Sequence, residues 1–485
     1  MKYSIYEILK ATGGYIFYQS PLFDKNAEFE LNCTSNVEIK DGAIFIPLYI
    51  LINGARTNSF ESLEGVICSG IRMILFDETR FAEPEAYNKL MNIINQHPDK
   101  LDCIIMVQDT LKAIFDLASF TRTYKMSKHT KYIAVTGSIG KTSTTEMLYG
   151  ILNLKNKVYR GEPGANIKLR VAHKFLETDP DVDYLLFECS GQGRGYLKFF
   201  SELIMPDGII LTKVANENLG EYRTLLNVAN EKSTLMSAMS KDSVAVINGM
   251  DILRKAAERY VCEKVFVNEG DYTLISTDKN GSRFIYKNEE FFIPVVGIHQ
   301  IDNAAKVIEL SKRLGFSYED IKQGLENYEA IGDRWVVDEF GENIHFITDC
   351  PNNPSYDTLI TNINVFMELY KDSKYKRIII TRIKALGDLE EKTYKDIAVF
   401  ISKLNINELV CVGSEINLIR DYVSQNSNIK VVSFEKPTEI NEQDDFVKYL
   451  LSTMNFEQAT LLKGQRKDGS IGYGAVKYVL RENLK

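Results

Sequence analysis

Short apolar runs recur along the chain, separated by stretches with helical spacing of their apolar positions. Apolar strands alternating with helices predict parallel sheets covered by helices, the α/β class. In the first part "AIFIPLYIL" (43–51), "RMILFD" (72–77) and "CIIMVQD" (103–109) read as strands, and the polar "TRTYKMSKHTK" (121–131) reads as a linker. The next part opens with the strand "YIAVTG" (132–137), followed by "DYLLFECS" (183–190), "DGIILTKV" (207–214) and "SVAVING" (243–249). A β-rich stretch over 273–295 carries hairpin chemistry at Asn280-Gly281, and "DNAAKVIELSKRLG" (302–315) reads as a helix. Beyond Trp335 come the strands "HFITD" (345–349), "RIIITRI" (377–383), "ELVCVG" (408–413), "IKVVSF" (429–434) and "ATLLKG" (459–464), with helices such as 393–405 between them. No internal repeat interrupts the pattern. It predicts three domains: a small α/β unit over 1–125, a central unit with a parallel sheet over 126–335, and a Rossmann-like unit over 336–485.

Length and composition agree. At roughly 150 residues per domain, 485 residues give about three. Hydrophobic residues make up 45% and charged residues 26%, as in a globular protein. Against 66 acidic side chains stand 58 basic ones, a net of -8, which disfavours a general nucleic-acid binder. The cysteines (Cys33, Cys68, Cys103, Cys189, Cys262, Cys350 and Cys411) include no CxxC pair and read as thiols in a reducing compartment. The start "MKYSIYEILKATGG" lacks the apolar core of a signal peptide, and no apolar run is long enough to span a membrane. The expected location is the cytoplasm.

One stretch changes this picture from fold to chemistry. "VTGSIGKTSTTEM" (135–147) joins a strand to a helix through a glycine-bearing turn. Gly137 and Gly140 let backbone approach phosphates without a Cβ between, while Ser138 and the amides at the helix start supply donors. Lys141 is placed to reach the outer phosphates, and Thr142 or Ser143 to offer a hydroxyl to Mg²⁺. The standard signature has glycine where this chain has Val135. The form T-G-x-x-G-K-T-[ST] instead resembles the Mur ligases, ATP-dependent amide ligases of three domains.

Further segments resemble that family in its own order, over nearly the whole chain. Glu188, closing the strand "LLFECS", resembles the family's acidic Mg²⁺ ligand; Mg²⁺ takes oxygen ligands and keeps waters. "VANEKSTLM" (228–236) resembles the segment of the carbamylated lysine, here Lys232, whose carbamate implies a second Mg²⁺. "GIHQIDNAA" (297–305) resembles G-x-H-N-x-x-N-A, which implies an adenine contact at Asn303 and a role for His299. "IGDRW" (331–335) implies a phosphate-binding Arg334, whose planar fork suits phosphate. "TDCPNNPSYD" (348–357) implies an ATP-ribose contact at Asp349, with Asn352 where several relatives carry histidine. "LLKGQRKDG" (461–469) resembles the K-G-S-R of the branch that adds D-alanyl-D-alanine, and brings Lys463 and Arg466 to a substrate carboxylate or the transferring phosphate.

The departures concern the second metal and the substrate. Asn218 stands where relatives have a histidine supporting the second metal. Its carbonyl oxygen can ligate Mg²⁺, but it has no imidazole to protonate. In the first domain Asn36 replaces the arginine of the UDP-muramoyl signature, and "NGARTNSF" (53–60) replaces D-G-H. The resemblance implies an ATP- and Mg²⁺-dependent ligase. It would form an acyl phosphate from a substrate carboxylate and couple it to an amino acid or dipeptide amine, by default in cell-wall peptide synthesis on a UDP-linked peptide. Two alternatives stand beside this: an ATP-binding relative without ligase activity, for which Asn218 is the discriminating residue, and a ligase acting on a non-UDP metabolite carboxylate.

Overall fold

The computed structural model describes all residues except 22, 32–42, 53–54, 59–62, 82, 163–165, 192, 216–221, 330–334, 342, 351–355, 383–389, 455, 465–472 and 485. For 49–52, 55–58, 80, 357 and 474 it describes the backbone alone. Asn36, Asn218, Arg334, Asn352 and Arg466 therefore lie outside the described residues.

Three six-stranded sheets follow one another. The first runs Lys2–Ser4, Glu28–Leu31, Ala43–Phe45, Met73–Asp77, Cys103–Val107, Tyr15–Gln19, parallel inside and antiparallel at both edges. The strand expected over 43–51 is divided. Pro47 has no N–H for a ladder, so pairing stops at Phe45 and the backbone resumes as a separate hairpin, Tyr49–Ile52 with Ala55–Asn58. The expected linker over 121–131 is also corrected. Helix Thr110–Phe120 runs on as a wider turn, Thr121–Lys125, and only then leaves helical geometry. Tertiary contacts hold it there: Thr121 Oγ1 donates to Leu117 O at 2.8 Å, Lys125 pairs with Glu7 at 2.7 Å, and the Arg122 guanidinium lies 3.6 Å from the Tyr132 ring centre.

The central sheet is wholly parallel, in the order Val158–Tyr159, Tyr184–Glu188, Lys131–Thr136, Gly208–Leu211, Val244–Asn248, Glu263–Val267. Its inner strands are apolar along their length because helices cover both faces. The chain leaves Lys131–Thr136 toward one edge and later fills the other. The strand order therefore reverses at Lys131–Thr136, and ligands bind beyond the carboxyl end of such a strand. A three-stranded meander (Tyr272–Asp278, Gly281–Tyr286, Glu289–Ile293) packs under helix Ile298–Arg313. The first of its turns is at Lys279-Asn280, with Gly281 (φ +151°) opening the next strand. The second is at Lys287-Asn288, both in the left-handed region at φ 50° and 65°. Helix Ile298–Arg313 starts four residues before the expected 302, capped at Gly297, so His299 falls in its first turn.

The third sheet runs Val336–Phe340, Ile344–Asp349, Gln458–Lys463, Lys376–Ile380, Glu408–Val412, Lys430–Phe434, parallel except for its first pair. Gln458–Lys463 inserts between earlier strands and sets a second crevice at the carboxyl ends. Hydrophobic packing follows another division. Helix Thr110–Phe120 contributes Ile114 and Leu117 to one continuous core joining the first sheet (Phe29, Ile44, Ile105) to the central one (Phe175, Phe187, Phe200). The buried residues under the third sheet form clusters of their own. Among the described residues no helix is long and apolar enough to cross a membrane.

Candidate functional site: a phosphate loop facing a second crevice

The loop leaves the central sheet where the strand order reverses. Val135, which stands in the glycine position of the standard signature, is a fully buried strand residue paired with Glu188 and Ile210 on its two neighbours. It belongs to the sheet, and the turn begins after it. Gly137 adopts φ +141°, and a Cβ there would sit 1.9 Å from Thr212 Oγ1. Gly140 (φ +84°) caps helix Lys141–Leu152, and a Cβ there would meet the Asn303 amide at 2.5 Å. Both glycines are thus required by conformation and by space. Ser138 N and Ile139 N donate to Lys213 O at 3.0 and 3.2 Å, and Thr212 Oγ1 donates to Ile139 O at 2.6 Å. Lys141 folds back over the turn, donating to Gly137 O at 2.8 Å and Ser138 O at 3.1 Å. Thr142, half-buried, and Ser143, buried, occupy the first helical turn.

Glu188 ends the strand beside the loop and is 4% exposed. Its Oε1 accepts from Asn166 Nδ2 at 2.9 Å, while Oε2 is buried with no hydrogen-bond partner. A buried carboxylate oxygen costs free energy unless something meets it, and a hard cation is such a partner. Lys232, in helix Leu225–Ser233, is fully buried. Burial pushes the Cys189 thiol up to about 12, with the charges of Lys174 and Lys232 working against that rise. Lys232 is therefore within electrostatic reach of Cys189, the residue after Glu188. The adjacent Glu231 is used by the fold: its carboxylate accepts from Gly195 N at 2.8 Å and Leu197 N at 2.9 Å, capping helix Tyr196–Ile204.

Helix Ile298–Arg313 links the loop to the third sheet. Asn303 lies against Gly140, and one turn earlier the buried His299 is within electrostatic reach of Asp349 and Lys463. Burial pushes the His299 imidazole down to about 4; Asp349 works against the shift and Lys463 with it. Its Nδ1 is buried without a hydrogen-bond partner. Asp349 and Lys463 are register partners at the ends of adjacent parallel strands, and their side chains form a buried ion pair on Asp349 Oδ2. Asn362 Nδ2, from helix Tyr356–Leu369, donates to the same oxygen at 2.5 Å. After Lys463 only glycine fits, since a Cβ at Gly464 would lie 1.8 Å from Thr381 Oγ1.

The described candidates fall into two groups: Gly137, Ser138, Gly140, Lys141, Thr142, Ser143 and Asn303 at the loop with Glu188 on the neighbouring strand end and Lys232 near Cys189, and Asp349 and Lys463 at the strand ends of the third sheet with His299 within electrostatic reach of them. Sequence reading missed Asn166, Lys174 and Asn362. Asn362 had one signal, an amide on a helix face otherwise formed by Leu359, Ile363 and Phe366. Lys174 and Asn166 had none.

Residues 135–310 match the family model described as the Mur ligase middle domain. A UDP-N-acetylmuramoyl-tripeptide--D-alanyl-D-alanine ligase of Borreliella burgdorferi is 26% identical over 440 residues, covering 88% of this chain and 90% of that enzyme. The fold superposes on MurF from Acinetobacter baumannii with TM-score 0.78 and 19% identity, covering 100% of this chain and 99% of that one. It also superposes on the MurF ligase of Thermotoga maritima in complex with ADP, with TM-score 0.72 and 18% identity over 93% and 96% of the two chains. The three-sheet architecture agrees with these matches: residues 135–310 carry a Mur ligase middle domain, and the chain is similar to Mur ligases over most of its length.

Proposed function

We propose that the chain is an ATP-dependent ligase that joins the carboxylate of a UDP-linked muramoyl tripeptide to the amine of D-alanyl-D-alanine, releasing ADP and phosphate. The observation that carries this reading is the single helix Ile298–Arg313. It lies against the phosphate loop through Asn303 and, one turn or roughly 6 Å earlier, brings His299 within electrostatic reach of the Asp349–Lys463 pair. A nucleotide held between two such crevices can present its γ-phosphate to an acid brought by another part of the chain. A simple kinase has no use for the third sheet. The relatives supply the substrate classes through their names.

In this reading Lys141 and the loop amides hold the phosphates, Asn303 and Arg334 contact the nucleotide, and Asp349 takes a ribose hydroxyl. The substrate carboxylate attacks the γ-phosphorus and ADP leaves. The amine then adds to the acyl phosphate, loses a proton and expels phosphate. Such transfer depends on positioning and charge neutralisation more than on covalent help. Thr142 and Glu188 are the residues that would hold Mg²⁺, with Lys232 and Asn218 beside a second ion. The bound ion supplies neutralisation of the charge built up on the phosphoryl oxygens. Mg²⁺ held through one carboxylate and a hydroxyl would be completed by phosphate oxygens and water. Lys232 becomes an anion if its neutral amine adds CO₂ and loses a proton. His299, titrating near 4, is neutral at physiological pH and too weak a base to collect the amine's proton, so its part is a hydrogen bond. Lys463 and Arg466 are assigned to the substrate carboxylate or the departing phosphate.

The test is direct. Purified protein is given Mg-ATP, bicarbonate, UDP-N-acetylmuramoyl-tripeptide and D-alanyl-D-alanine, and phosphate release and product mass are followed. Turnover should require both acid and amine. Tight ATP binding without turnover for any acid and amine offered would identify a non-ligase. Lys232→Ala should lose activity and regain part of it with a short-chain carboxylic acid; unchanged activity would remove the carbamate.

A further inference from the structure

A cavity of about 450 Å³ opens on the outer flank of the central sheet, beside its two-residue edge strand Val158–Tyr159. It lies between helix Lys141–Leu152, which contributes Tyr149, and helix Lys168–Glu177, which contributes Arg170, His173 and Lys174. Arg160 and Gly161 close it where the chain leaves the edge strand.

The polar groups here are out of balance. His173 is 6% exposed, yet its Nε2 is buried with no hydrogen-bond partner. Arg160 Nε is likewise buried and unmet, while its Nη1 donates to Glu146 at 3.0 Å and its guanidinium lies 4.3 Å from the Tyr149 ring centre. Arg170 makes no ion pair among the described residues. Glu177, which also lines the cavity, accepts from Tyr159 OH at 3.0 Å and lies 3.7 Å from His173 Nδ1. A buried polar group left unmet is destabilising, and such groups call for a ligand or ordered water. Arg160, Arg170 and Lys174 line the cavity together with Glu162 and Glu177; Glu146 answers Arg160, and Tyr159 OH donates to Glu177, so Arg170 and the unmet Arg160 Nε are the groups left to select an anion, through charge-assisted hydrogen bonds about twice as strong as neutral ones. The volume exceeds that of a bare oxyanion, so the occupant carries more than its charged group.

We propose that this cavity is a binding site for a small molecule bearing a phosphate or carboxylate group, held by Arg160, Arg170 and His173. The site connects to the catalytic strand in two ways. Lys174 Nζ donates at 3.3 Å to Leu186 O, two residues before Glu188, and its stem runs beneath Gly161, where a Cβ would lie 3.1 Å from Lys174 Cε. Asn166, whose amide donates to Glu188 Oε1 at 2.9 Å, stands two residues before the helix that carries Arg170 and His173. Occupancy on the flank therefore bears on the carboxylate assigned to Mg²⁺; this last step, unlike the site itself, rests on the proposed function.

The experiment uses the intact chain labelled with ¹³C at histidine Cε1. The sequence has five histidines, and His173→Gln assigns the relevant signal. Inorganic phosphate and succinate are titrated separately at constant ionic strength. Saturable movement of the His173 signal is expected, with its titration midpoint rising from about 4 toward 6.5 as the anion meets the ring. Arg170→Ala should weaken that response at least tenfold. Response to phosphate alone assigns a phosphorylated ligand, and response to succinate a carboxylate. Lys141→Ala separates this site from the phosphate loop: the His173 response should survive it. A His173 signal that ignores both anions would overturn the proposal, and so would a response lost in Lys141→Ala but kept in Arg170→Ala. Neither outcome depends on ligase turnover.

Discussion

Replacing Lys463 by Met removes one half of the ion pair at the heart of the third sheet's crevice. Asp349 is 4% exposed and would keep only the Asn362 amide on its Oδ2. Breaking a buried pair in this way costs roughly 3–5 kcal/mol, because a buried charge remains uncompensated. For a unit of about 150 residues that is a fall in melting temperature of roughly 6–20 °C. Removing both charges has a different effect. Asp349→Asn with Lys463→Met leaves no uncompensated charge, and such double replacements are often neutral or stabilising. The double variant should therefore recover most of the loss, a coupling of roughly 2–4 kcal/mol, while its ligase activity stays lost. Urea unfolding can be followed through Trp335, the chain's one tryptophan, which packs against the third sheet's core. If both single variants cost under about 1 kcal/mol, or if the double is no better than the worse single, the pair is not a buried, coupled pair and the reasoning fails.

Four further outcomes follow. Gly137→Ala should abolish ATP binding with the fold retained, since its Cβ would overlap Thr212 Oγ1; ATP affinity within threefold of the parent would contradict the loop geometry. Glu188→Gln keeps the hydrogen bond from Asn166 but loses the anionic oxygen, so turnover should drop at least a hundredfold and its remainder should need more Mg²⁺; an unchanged Mg²⁺ dependence would dismiss Glu188 as a ligand. Asn362→Leu should raise KM for ATP more than it lowers kcat and narrow the preference for ATP over 2′,3′-dideoxy-ATP; intact discrimination would reduce Asn362 to packing. His173 is held near 4 by burial and by Arg170, against 6.5 when unfolded, so between those values the unfolded chain binds the extra proton. Stability is thus full above pH 6.5 and declines as pH falls toward 4, by at most roughly 3 kcal/mol, and His173→Gln should flatten part of that slope in a pH series of urea midpoints.

The sheets were legible because strands buried on both faces must be apolar throughout, as "YIAVT" and "RIII" are. Half-buried strands were not. Val336–Phe340 carries Asp338, buried against Arg481 at 2.5 Å, and Glu339, exposed, and so does not look like a strand in isolation. Pro47 hid a break inside one apolar run, and Lys287-Asn288 hid a turn, since lysine seldom occupies the left-handed region. In the site, the residues carried by contiguous motifs were readable: the loop, Glu188, Lys232, His299, Asp349 and Lys463. Asn362 and Lys174 reach Asp349 Oδ2 and Leu186 O from helices whose packing on the sheets decides the contact. No spacing along the chain records that.

Helix Thr110–Phe120 belongs to two sheets at once, and this bears on how the molecule comes apart. A boundary near 125 divides the chain by pattern, but the apolar core runs across it without a seam. The third sheet keeps its clusters to itself. That division predicts two energetic units, residues up to about 330 melting as one body and the remainder melting on its own. Grip on the nucleotide would accordingly be set by how often the smaller body sits closed against the larger. A ligand that bridges the two crevices would merge two melting steps into one.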